Sequence, residues 1–196
     1  MAEVRGEAVP GVPDGDPRAA LSRALVEEGD RLYGLAFRVT RDPDLAADAV
    51  QDAFASALDH IDGFRGEARL STWLHRIVFT KSIDLLRRRR REEPLPELDV
   101  ENLTAEDVRL GHGPSWARPP DEVLRGKETR AALEQALGRL TPLQRAVFEL
   151  KETEGRPTAE VAEILGTAEP TVRVHLHRAR LKLRDLLADH FRGGRT

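Results

Sequence analysis

Helical periodicity fills two long stretches of this chain and is missing from the interval between them, and that break decides most of what the chain can fold into. Residues 93–120 contain five prolines, with Gly111 and Gly113 set among polar residues. Proline has no backbone N–H and clashes with the preceding turn, so one continuous helical domain cannot run through this interval. It is also acidic, with 8 acidic and 2 basic side chains over 93–123, and reads as a linker. The expected fold class is therefore all-α: two small helical domains, 19–92 and 123–192, joined by a flexible linker at 93–122. Residues 1–18, rich in proline and glycine, read as a disordered tail.

In the first stretch, Leu21, Leu25, Leu32, Leu35, Ala36 and Val39 predict one or two helices. Asp42-Pro43 predicts a helix start, with Asp as N-cap and Pro at the first helical position. The stripe Leu45, Ala49, Val50, Ala53, Phe54, Ala57, Leu58 and Ile61 follows. After a break at Gly63-Phe-Arg-Gly66, Ser71 or Thr72 is expected to cap a helix carrying Trp73, Leu74, Ile77, Val78 and Leu85 into the block Arg87–Arg91.

In the second stretch, Thr141-Pro-Leu-Gln144 predicts a capping box that opens a helix through Val147, Phe148 and Leu150. Glu160-Val-Ala-Glu-Ile-Leu-Gly166 then predicts a short helix ended by glycine in the left-handed conformation. A second helix follows, with Val172, Leu176, Ala179 and Leu183 as its core face and Arg173, His175, His177, Arg178, Arg180, Lys182 and Arg184 on its other faces. Short helix, glycine turn and basic helix make a helix-turn-helix, whose second helix enters the DNA major groove by its N-terminal turns. Glu169, Thr171, Arg173, Val174, His175, His177 and Arg178 are the candidate contacts. Arg173 is the best fitted to a guanine edge, since arginine reaches O6 and N7 together.

A net charge of −3 hides this basic character. Residues 124–196 hold 14 basic and 10 acidic side chains, and the linker carries much of the compensating negative charge. Local rather than whole-chain charge governs the approach of a polyanion. The chain has no cysteine, which excludes disulfides and thiolate metal sites. His175 and His177 do not share a helix face, so no metal and no cofactor is expected. No constellation resembles a nucleophile elbow or a phosphate loop, which argues against an enzyme. No apolar run approaches the roughly 18 residues that cross a bilayer, and Met1–Pro10 lacks the form of a signal peptide. The expectation is a cytoplasmic protein without membrane contact.

The two halves together resemble a bacterial RNA polymerase sigma factor of the small extracytoplasmic-function group. Asp42-Pro-Asp-Leu-Ala-Ala-Asp-Ala-Val-Gln-Asp-Ala-Phe54 resembles that family's polymerase-binding helix. Phe64-Arg-Gly-Glu-Ala-Arg-Leu-Ser-Thr-Trp-Leu-His-Arg-Ile77 is similar to its promoter-melting segment, and Ser82-Ile-Asp-Leu-Leu-Arg-Arg88 to the end of its −10-reading helix. Leu140–Phe148, Ala162–Gly166, Thr171–Arg173 and Leu176–Arg180 resemble its −35-reading domain. The resemblance implies core RNA polymerase and promoter DNA as partners, and an anti-sigma protein is a further partner it allows. It implies polymerase contact by Asp48, Gln51, Asp52 and Phe54. It implies −10 contact by Phe64, Arg65, Arg69, Arg76, Thr80, Lys81, Arg87 and Arg88, and −35 contact by the helix-turn-helix set.

Three positions depart from the family pattern. Thr80 falls where many members have asparagine, Pro157 where a serine cap is common, and Ala168 at the cap of the second helix. The competing reading is a self-contained helix-turn-helix regulator with a sensing or dimerising N-terminal half. The arginine block and the segment Phe64–Ile77 speak against it, since a sensing domain has no use for a single-strand-binding surface.

Overall fold

A computed structural model describes residues 16–66, 68–92 and 127–193. All regular structure in these residues is helical. The chain divides into two compact units, the first built on α1–α3 and the second on α4, α5 and α7. The expected linker, and the expected tail up to residue 15, lie outside the described residues.

α1 spans Pro17–Thr40 as one helix of 24 residues, where the sequence left one or two open. It also starts earlier than the expected 19, because Asp16 accepts from the Arg18 N–H and Pro17 sits at the first position. This is the same Asp-Pro start as at α2, where Asp42 accepts from the N–H groups of Asp44 and Leu45. α2 spans Pro43–His60 and runs into a short 3₁₀ turn, Ile61–Gly63. α3 spans Leu70–Glu92, with Trp73 N–H bonded to the Arg69 carbonyl at 3.0 Å. Ser71 and Thr72 therefore lie inside α3 and do not cap it, a correction of the expected start.

Each of α1, α2 and α3 packs on the other two. α2 turns Ala46, Ala49, Ala53 and Ala57 inward, all fully buried, and these small residues let the larger Leu21, Leu32, Leu74 and Val78 close over them. The apolar stripe on α2 is wider than the core needs. Val50 and Phe54 are only partly buried, and Leu58 is 50% exposed. Buried polar groups are satisfied locally: His75 Nδ1–H donates to the Ser71 carbonyl (2.8 Å) and Ser82 to that of Val78 (2.8 Å).

The second unit opens with α4, Lys127–Gly138, and α5, Pro142–Phe148. The capping box expected at Thr141 and Gln144 is present in both directions, at 3.1 and 3.2 Å. α5 passes into a π-helical turn, Glu149–Thr153, and Gly155 takes a positive φ of 67° before α6, Thr158–Leu165. Gly166 closes α6 at φ 64°, with Gly166 N–H on Glu163 and Thr167 N–H on Ala162, both satisfying helix carbonyls. α7 then spans Glu169–Gly193. Val172, Leu176, Ala179 and Leu183 are buried as the periodicity requires, the last two packed with Ala136, Leu137 and Leu140.

Candidate nucleic-acid and partner interfaces

In the first unit, the −10 candidates divide between the segment before α3 and the outer face of that helix. Arg65 and Arg69 are exposed ahead of it, and Arg76, Thr80, Arg87 and Arg88 are exposed along it. Arg76, Thr80 and the half-buried Lys81 come together in a cleft of about 400 Å³, with Ser56, Trp73, Ile77 and Asp84 as its other walls. Trp73, assigned to the core from sequence, packs on the core and also forms a wall of this cleft. Phe64 is corrected in the opposite sense. Its ring is 9% exposed and rests 5.2 Å from that of Trp73, so the side chain is a core plug and not a free stacking platform. The spacing of Trp73, Arg76, Ile77, Thr80, Lys81 and Asp84 at three and four residues could have announced the cleft.

Thr80 donates its hydroxyl to the Arg76 carbonyl at 2.9 Å. A carbonyl cannot donate in return, so the hydroxyl has only its lone pairs left for a ligand. Within the arginine block, Arg87 lies 3.7 Å from Asp84, whereas Arg89 reaches across to the Asp42 carboxylate. That contact joins the end of α3 to the start of α2 and was not foreseen. The Leu45 N–H and then Arg89 hold the Asp42 carboxyl below its ordinary value. Asp48, Gln51 and Asp52 are exposed on α2, with Phe54 half-buried beside them. Leu58, one turn beyond Phe54 and read from the sequence as part of the apolar stripe, is exposed and continues this surface.

In the second unit the sequence-based set on α7 separates. Thr171, Arg173, His177 and Arg178 are partly exposed. Val174 is 1% exposed and His175 6%, so neither offers a contact to an external base as expected. The buried arc of α7 is wider than the Val172–Leu176–Ala179–Leu183 stripe from which it was read. Carboxylates attend the helix's arginines. Glu169 accepts from Arg173 Nη1 at 3.1 Å, Glu152 of the π turn pairs with Arg180, and Asp185 lies 3.1 Å from Arg184.

Pro157 and Ala168 stand at the starts of α6 and α7, where Val161 N–H and Val172 N–H bond to their carbonyls. Neither has a side chain that can cap. Beside Pro157, the 9%-exposed Arg156 bonds Glu154 at 2.6 Å and Glu160 at 2.5 Å, and Lys151 donates to the Arg156 carbonyl at 2.6 Å. Burial opposes the charge on Arg156, but the two carboxylates outweigh it and raise its pKa above the ordinary value. This triad was missed, although Arg156 and Glu160 stand at helical i,i+4 spacing. Among the described residues there is no cluster able to hold a metal ion, and no helix long and apolar enough to cross a membrane.

Family comparison accounts for both units. The family description "Sigma-70 region 2" matches residues 25–92, and "Sigma-70, region 4" matches 130–183. The ECF RNA polymerase sigma factor SigM of Mycobacterium tuberculosis is 34% identical over 170 residues, covering 87% of this chain and 78% of SigM. The chain belongs to the ECF sigma factors. SigE of Mycolicibacterium smegmatis, another ECF sigma factor, is 33% identical over 166 residues, covering 84% of this chain and 60% of SigE. The fold is also that of the sigma factor RpoE of Bartonella quintana, solved in complex with the anti-sigma factor NepR. That likeness has a TM-score of 0.60 at 24% identity and covers 85% of this chain and 96% of RpoE. ECF sigma factors are not enzymes; they serve promoter-specific initiation by RNA polymerase.

Proposed function

We propose that this ECF sigma factor binds core RNA polymerase in the cytoplasm and carries it to promoters defined by a −35 and a −10 element. Residues 19–92 form the domain that docks on polymerase, reads the −10 element and holds its melted strand; residues 123–192 form the domain that reads the −35 element. Asp48, Gln51, Asp52 and the edge of Phe54 meet the polymerase, with Leu58 extending the apolar part of that contact. Arg65, Arg69, Arg76, Thr80, Lys81, Arg87 and Arg88 meet −10 DNA, and Trp73 rather than Phe64 supplies the aromatic wall. Thr171, Arg173, His177 and Arg178 of α7 meet the −35 element. No step of this function makes or breaks a bond in the chain, and no metal or cofactor enters it.

The observation that carries the reading is the pairing of two region matches in order, residues 25–92 and 130–183, each containing a helix with outward cations. An anti-sigma protein is a further partner we propose, supported by the complex in which the similar RpoE was solved. Run-off transcription with purified core polymerase tests the function. Promoter-dependent transcripts should arise only when both proteins are present. Tight footprints from this chain alone, with no effect on the polymerase, would replace the proposal with a self-sufficient regulator.

A further inference from the structure

α7 carries an ion pair near its start that contributes little to the fold. Glu152–Arg180 joins the π turn to α7, and the Arg156 triad joins the π turn to α6. Glu169–Arg173 instead lies within a single helix, with side chains 47% and 39% exposed. An exposed i,i+4 pair is worth only a few tenths of a kcal/mol. Glu169 is also the first residue of α7, next to the uncapped Ala168, yet its carboxylate is turned to Arg173. What the pair does bias is the orientation of the Arg173 guanidinium. Glu169 Oε2 takes a hydrogen of Nη1. That leaves the side-on edge, Nε–H and Nη2–H, available and favours one direction for it. This is the two-donor edge that matches guanine O6 and N7.

We propose that Glu169 is a specificity-determining residue of the −35 contact, acting as a positioning residue for Arg173. The inference rests on the proposed reading of α7 as the −35-contacting helix. By biasing the guanidinium, Glu169 favours the guanine contact of Arg173 over a turn to the nearest phosphate. Its own negative charge, held in the groove, also penalises sites where Arg173 finds no guanine. The carboxylate thereby trades general DNA affinity for discrimination, since phosphate contacts give affinity without sequence information.

The test is run-off transcription by polymerase carrying the full chain, over templates randomised in the −35 element, for wild type, Arg173→Ala and Glu169→Gln. Wild type should prefer guanine at one position, and Arg173→Ala should flatten that preference about ten-fold or more. Glu169→Gln should flatten the same position by roughly three-fold while raising output from templates lacking the element. Its thermal melt should be unchanged, because both side chains are exposed. Glu169→Asp, which keeps the charge beside Arg173, should retain more of the preference than Glu169→Gln, and an equal loss in both would count against the inference. The inference is overturned if Glu169→Gln leaves the preference intact, raises all templates equally, or flattens a position that Arg173→Ala does not touch. If wild type gives transcripts with no −35 preference, the proposed role of α7 fails and this inference falls with it. If wild type shows the preference and only the Glu169 outcomes fail, that role stands without the inference.

Discussion

The two units each present a basic helix, α3 in one and α7 in the other, and both seat it on apolar side chains, but they start and anchor their helices differently. α3 is seated by apolar packing: fully buried alanines of α2 face Leu74 and Val78, and one long-range ion pair, Asp42–Arg89, ties down its end. The two helices packed on α3 both begin with an Asp-Pro cap. The second unit buries Leu150, Val161, Ile164, Val172 and Leu176 in the same way, but the helices of its helix-turn-helix start at Pro157 and Ala168 without a capping side chain. There, the ion pairs of Arg156 with Glu154 and Glu160 lie at the start of α6, and Glu152 of the π turn pairs with Arg180 midway along α7. In the second unit the helix proposed to meet DNA thus carries pairs whose charge also shapes its field. An arginine can serve the fold or the ligand: Arg156 is buried between two carboxylates and Arg89, though exposed, is paired with Asp42, while Arg88 is open to solvent.

The largest effect should follow from Arg156→Ala. It leaves Glu154 and Glu160 facing each other in a poorly hydrated site, and removing one partner of a buried pair costs about 3–5 kcal/mol. Hydrogen exchange of the full chain should lose protection over 149–165 while α1–α3 keep theirs. Equal loss in both units would contradict the contrast drawn here.

Asp42→Asn is next, and acts on the first unit. It keeps a capping oxygen but removes the charge that faces Arg89 and the helix N-terminus, for about 1–2 kcal/mol at neutral pH. Because the folded carboxyl titrates below its ordinary value of 3.8, the stability it adds is present above that value. That stability is lost as pH falls through the folded pKa. The gap between wild type and Asp42→Asn in denaturant melts should therefore close in acid. A gap that persists unchanged in acid would mean the charge is irrelevant.

Ala168→Ser should do the reverse in the second unit, supplying the missing cap of α7 and raising stability by about 1 kcal/mol. The shift would be read in protection of 169–176; no gain would show that some other group already serves these N–H groups. The smallest effect belongs to Arg88→Ala. This exposed residue should leave the melt unchanged and lower the salt dependence of promoter binding by about one counterion. An unchanged salt slope would remove Arg88 from the DNA contacts.

What the sequence disclosed and what it hid follow one rule. Features set by neighbours along the chain were legible: Asp42-Pro43, the Thr141–Gln144 capping box, the Gly166 closure, and the buried face of α7. Features set by distant residues were not. Asp42 and Arg89 stand 47 residues apart, and nothing local marks either as the other's partner. Phe64 and Trp73 both pack on the core, and their ring contact, with Trp73 left half-buried at the cleft, is set by packing that no local pattern shows. Val174 and His175 read as outward from a stripe that was taken too narrow. The Arg156 triad was overlooked for another reason: charged residues in a helix-turn-helix suggest DNA before they suggest each other.

The central claim, that two separately built units grip two parts of one promoter while polymerase carries both, is tested most directly by footprinting the polymerase complex with paired variants. Arg173→Ala with Arg178→Ala should erase protection at the upstream element alone, and Arg76→Ala with Arg87→Ala at the downstream element alone. Loss of the same element by both pairs, or full protection by this chain without polymerase, would contradict the account.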